Sequence, residues 1–98
     1  MTKGDEAKRL LGDVNQQQCF WVNNGHVLKN LDELASELQT MSDETFKHHV
    51  SKERNDFTNW VNDVINDKKL AKELLSSKNK EYALKKVRSR VNALKKHM

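Results

Sequence analysis

The 98-residue chain contains no proline, and its three glycines all fall before residue 26. Beyond that point nothing removes a backbone donor or offers an easy left-handed turn, the two usual ways of interrupting a helix. Apolar spacing and capping residues are left to decide the structure. Asn30-Leu31-Asp32-Glu33 places a capping side chain first and Glu three residues later, a capping-box pattern. Leu31, Leu34, Ala35, Leu38 and Met41 follow at helical spacing. Ser42-Asp43-Glu44 opens a second helix with acids in its first turn, where the helix dipole favours them, and Phe46, His49 and Val50 share its inner face. Asn55-Asp56 opens a third, carrying Phe57, Trp60, Val61, Val64 and Ile65 on the clearest amphipathic stripe of the chain. Asn66-Asp67 ends that helix and caps another with Leu70, Ala71, Leu74 and Leu75 inward. After a break at Ser76-Ser77, the last helix spans about residues 79–96 with Leu84, Val87, Val91 and Leu94 as its apolar stripe.

The region before residue 30 has a different character. Two β-prone runs, one of Phe20, Trp21 and Val22 and one of Val27 and Leu28, flank Asn24-Gly25, a pair suited to a tight hairpin turn. A lone hairpin is marginal in water, so helices must cover its apolar face. Residues 1–18 read as a loose, flexible arm. Ala7, Leu10, Leu11 and Val14 have the spacing of one docked turn, but Gly12 and Asn15-Gln16-Gln17-Gln18 oppose a long helix. The expected fold is mainly α: a short N-terminal β-hairpin followed by a compact bundle of four to five short helices. It divides into an arm over residues 1–18, a hairpin and helical core over 19–77, and a basic amphipathic helix over 78–98 packed on the same single domain. The expected core centres on Leu31, Leu34, Leu38, Phe46, Phe57, Trp60, Val61, Val64, Leu70 and Leu74.

Composition limits the classes open to such a chain. Leu, Ile, Val and Phe number 23 residues, just above the level at which disorder prevails, and a net charge of +4 is too small to oppose collapse. A modestly stable folded domain follows. The longest apolar runs are a few residues, whereas a bilayer span needs about 20. Met1-Thr2-Lys3-Gly4-Asp5-Glu6 lacks the apolar stretch of a signal peptide. Cys19 stands alone and forms no internal disulfide, so a cytoplasmic location is expected.

The sequence resembles a small, uncharacterised, mostly helical domain family common in archaea. The residues that carry the resemblance are Gly25-His26-Val27-Leu28-Lys29-Asn30-Leu31, the segment 34–41, and Ser42-Asp43-Glu44-Thr45-Phe46-Lys47-His48-His49-Val50. It continues through Asn55-Asp56-Phe57-Thr58-Asn59-Trp60-Val61, Asp63-Val64, Asp67 and Leu70-Ala71. Residues 20–75 are covered. The resemblance implies a compact helical domain and no assigned activity.

Residue types that carry chemistry are few. Cys19, His26 and His49 are the candidates for a metal or enzymatic site, with Asp56 as a further ligand. Zinc needs three or four converging ligands, and no CxxC, HxxxH or HExxH spacing occurs. The simpler reading makes His49 a core histidine bonded to Asn55 or Asp56, and Cys19 a small buried hydrophobe. Asn55-Asp56 is explained as a cap and a first-turn acid. Neither GxGxxG nor GxxxxGK[ST] is present to cradle phosphate. The chain reads as non-catalytic, without a cofactor.

Binding is the stronger expectation. Residues 78–98 carry eight basic side chains against Glu81 alone, a net of +7, whereas residues 1–77 carry ten basic and thirteen acidic ones, a net of −3. This polarity points either to an acidic partner or to docking of the basic segment on the acidic body. The leading expectation is a small adaptor domain contacting its partner through Lys85, Lys86, Arg88, Arg90, Lys95 and Lys96. The alternative is a nucleic-acid-binding protein using the same side chains on phosphates. Phe20 and Trp21 form a second candidate surface for a protein partner, with strand alternation placing them on opposite faces. A monomer or weak homodimer is expected.

Overall fold

The computed structural model describes residues 2–98. Helix α1 (Lys3–Leu11) and a single 3-10 turn at Gln16–Gln18 lead into a two-stranded antiparallel hairpin, β1 (Phe20–Trp21) and β2 (Val27–Leu28). Five helices follow: α2 (Leu31–Thr40), α3 (Asp43–His49), α4 (Asp56–Trp60), α5 (Lys68–Leu75) and α6 (Lys80–Lys95). Between α4 and α5 the chain continues as a π-helical turn over Val61–Ile65. The fold is mainly α with an N-terminal hairpin.

Each of the five helices after the hairpin begins where a short polar side chain accepts from the backbone N–H three residues on. Asn30 does so for α2, Ser42 for α3, Asn55 for α4, Asp67 for α5 and Asn79 for α6. Four N–H groups at each helix start lack an intrahelical partner, and these caps satisfy one apiece. The π-helical turn ends at Asn66, whose left-handed backbone (φ 67°) stops the helix and delivers the chain to the Asp67 cap.

Residues 2–18 are not the loose arm that the sequence suggests, and Met1, the first residue of that expected arm, lies outside the described residues. Thr2 and Asp5 form a reciprocal capping box at the start of α1, and Ala7 and Leu10 are fully buried. The helix packs on α6, a partner some 80 residues away in sequence, so local propensity gives little sign of its stability.

The hairpin differs in detail from a two-residue Asn-Gly turn. Its loop is the three residues Asn23, Asn24 and Gly25, closed by Val22 N–H on the His26 carbonyl (2.8 Å) and Gly25 N–H on the Val22 carbonyl (2.9 Å). Gly25 alone takes positive φ (96°), the pattern of a β-turn followed by a left-handed residue. Phe20 pairs with Leu28 and faces inward, whereas Trp21 pairs with Val27 and faces out.

The core draws on every helix and both strands. Leu31, Leu34, Leu38, Phe57, Val61, Leu70, Leu74 and Val87 are essentially inaccessible, and Val64 is partly buried against them. Phe20 enters an aromatic group, stacking on Phe57 (5.0 Å between ring centres) and meeting Trp60 edge-on (5.8 Å). The Trp60 indole donates to the Gln18 carbonyl (2.8 Å), tying the 3-10 turn to α4. Helix α6 lies against α1, α2 and α5, with Ala83, Val87, Val91 and Leu94 buried.

Candidate binding surface

The hairpin is held at its turn by polar contacts from two helices. Asn23 N–H donates to His49 Nε2 (3.0 Å) at the end of α3. Because that nitrogen accepts, the ring proton sits on Nδ1 and is donated to Asp56 Oδ2 (2.9 Å). His49, only 5% exposed, thus has both ring nitrogens engaged. Asp56, the expected alternative to Asn55, is its partner, and the Asn23 contact joins residues 26 apart that no local pattern connects. On the other side, the buried Glu37 carboxylate of α2 accepts from Asn24 Nδ2 (2.8 Å) and pairs with His26 Nδ1 (2.8 Å).

This clamping fixes what the hairpin displays. Trp21 is 70% exposed, more than any other large apolar side chain among the described residues, and its cross-strand partner Val27 is 42% exposed. Phe20 was expected beside it at a partner surface, but it is buried. The strand period of two sends Phe20 inward to Phe57 and Trp60, so Trp21 is left with Val27. A groove of about 410 Å³ opens beside Val27, between β2 and α2, lined also by His26, Leu28, Glu33, Ser36, Glu37 and Thr40.

The six cationic candidates, five on α6 and Lys96 at its C-terminal cap, do not form one open track. Arg90 reaches the nearly inaccessible Asp67 carboxylate with Nε at 2.7 Å, and its second contact is 3.4 Å. Lys86 meets Glu73 (3.4 Å), and Lys95 meets Asp32 (3.2 Å). Arg88 donates to Gln39 Oε1 (2.6 Å). The Tyr82 hydroxyl first, and Glu73 with it, hold the Lys86 ammonium above the usual lysine range. Lys85 and Lys96 are exposed and make no ion pair among the described residues. Of the two explanations for the charge polarity, docking on the acidic body accounts for three of the six cations, and also for Lys80, 3.8 Å from Asp43. The side of α6 that meets α5 gathers Lys69, Lys86, Ser89 and Arg90, with Glu73 among them, around a cavity of about 100 Å³. Lys69 was not among the sequence candidates because it belongs to a different helix.

Cys19, His26 and His49 are not brought together. Cys19 Sγ lies 3.7 Å from the Asn15 carbonyl, His26 sits on Glu37, and His49 sits on Asp56. Among the described residues no three His, Cys, Asp or Glu side chains converge as metal ligands. No helix of the described residues is long and apolar enough to cross a membrane. No protein-family model, curated protein or solved structure matches the chain.

Proposed function

We propose that the chain is a non-catalytic, cytoplasmic binding module that receives a protein partner on the outer face of its hairpin, with Trp21 as the central contact. The observation that carries this reading is an indole 70% exposed on a hairpin fixed from both sides. A large aromatic side chain on a fixed backbone has only two side-chain torsions to order on binding, and tryptophan is enriched among residues that dominate interface energies. The module works as a monomer or a weak homodimer.

The test uses the full chain as bait in a cytoplasmic extract, beside Trp21→Ala and a Lys85→Glu/Lys96→Glu variant. The expected result is a specific protein retained by the wild type and the charge variant and lost by Trp21→Ala, whose circular dichroism and Tm stay unchanged. Retention of the same proteins by Trp21→Ala overturns the reading.

A second reading is nucleic-acid binding on the α5–α6 side, favoured by Lys69, Lys86 and Arg90 around one small cavity that Glu73 also lines. It requires that labelled duplex DNA or single-stranded RNA bind with an affinity that falls steeply with salt and is weakened by Lys69→Glu and Lys85→Glu. Absence of binding at near-physiological salt removes it.

A further inference from the structure

The groove beside Val27 has a chemistry of its own. Glu33 and Glu37 both line it, and no lysine or arginine does. The nearest cation in sequence, Lys29, is drawn away toward Asp13, at 4.0 Å. Glu37 already accepts from Asn24 and His26, and Glu33 from the Lys29 N–H (2.9 Å), yet a carboxylate offers about four acceptor positions, so both keep capacity. The walls nearer the hairpin are the apolar Val27 and Leu28. Val27 is also the cross-strand neighbour of exposed Trp21, so the apolar patch and the acidic groove are continuous. At about 410 Å³ the groove falls near the small end of ligand sites, which run to about 300–1,000 Å³, and suits a side chain or two rather than a helix. Among the described residues the sheet has two strands; on the edge of β2 away from β1, Lys29 already donates its N–H to Glu33 and its carbonyl accepts from Val14 N–H (2.8 Å), which leaves the backbone of Val27 to meet an extended occupant.

We propose that this groove receives the arginine side chain of an extended, basic partner segment, with a neighbouring apolar residue of that segment resting on Trp21. The proposal rests on the hairpin reading above and specifies the chemistry of the partner. The aliphatic part of the arginine lies along Val27 and Leu28, and the guanidinium reaches the carboxylates of Glu33 and Glu37. A planar fork of N–H donors matches a carboxylate better than an ammonium does.

The probe is the blocked peptide acetyl-Leu-Arg-Leu-Ala-amide, titrated into ¹⁵N-labelled full-length protein, beside counterparts with citrulline or glutamate in place of arginine. Citrulline keeps the shape and removes the charge. The expected result is saturable shifts at Val27, Ser36, Thr40 and the Trp21 indole with the arginine peptide alone. Glu33→Gln preserves the acceptor for Lys29 N–H and is expected to weaken binding about tenfold, as loss of one charge-assisted contact implies. Ser36→Lys, at an exposed helix position, fills the groove with the protein's own cation and abolishes binding. Equal shifts from the arginine and citrulline peptides, or none from either, overturn the proposal. A partner captured by the wild type, lost with Trp21→Ala and kept with Ser36→Lys also overturns it, while leaving the hairpin reading in place.

Discussion

Single side chains in this protein often serve two neighbours, and Asn55 shows the consequence. Its Oδ1 caps α4 by accepting from Thr58 N–H (3.0 Å), and its Nδ2 donates to the Leu74 carbonyl at the end of α5 (3.0 Å). Aspartate makes an equally good cap but has no donor for Leu74 and brings a charge to a buried carbonyl. Asn55→Asp is therefore expected to lower stability by about 1–3 kcal/mol, measured by urea unfolding, although cap preference alone predicts no change. Three residues on, Thr58 Oγ1 is buried and has no hydrogen-bond partner. Thr58→Val is nearly isosteric and removes the unpaired hydroxyl, so Tm is expected to stay level or rise. The cap at Asn55 was legible from sequence because it depends on residues three apart. Its bond to Leu74 was not, because it depends on how α4 and α5 pack.

At the scale of elements, helix starts were the most legible feature and helix partners the least. Asn30, Ser42, Asn55, Asp67 and Asn79 all cap where the pattern of short polar residue and apolar periodicity places a start. The same signal was present at Thr2 and Asp5, but a nine-residue helix is marginal alone and α1 is held by α6. The basic stripe of α6 was read as a surface because its acidic partners, Asp32, Asp67 and Glu73, lie on other helices. The exposed pairs contribute little, but Asp67 also caps α5 and is almost inaccessible. Asp67→Ala removes a cap and leaves Arg90 without its buried partner, and is expected to cost about 3–5 kcal/mol by chemical denaturation. Asp67→Asn keeps the cap and is expected to cost less. Alternation alone placed Phe20 and Trp21 on opposite faces without saying which of them points outward, and the clamp formed by Glu37 and His49 joins three separate segments and left no trace in any one of them.

For the molecule as a whole, the basic segment is a central part of the structure. Helix α6 buries Ala83, Val87, Val91 and Leu94 against α1, α2 and α5, so its removal uncovers apolar surface on three helices at once. A chain ending at Ser77 is expected to lose far more helical signal by circular dichroism than the sixteen residues of α6 account for, and to unfold without a cooperative transition. Charge reversal at Lys85 and Lys96 is consequently the sound way to ask what the basic face binds, since neither side chain is buried.

The packing of α1 on α6 brings the first residues of the described chain against the last. A methyl group added at Gly4 would lie 2.9 Å from the His97 carbonyl. The path of the backbone is thus nearly a closed ring, and the order in which it is traversed is to that extent arbitrary. Joining the two ends with a short linker and reopening the ring between Lys52 and Glu53, both exposed, is expected to give a circular permutant with the same near-ultraviolet dichroism and a cooperative melt.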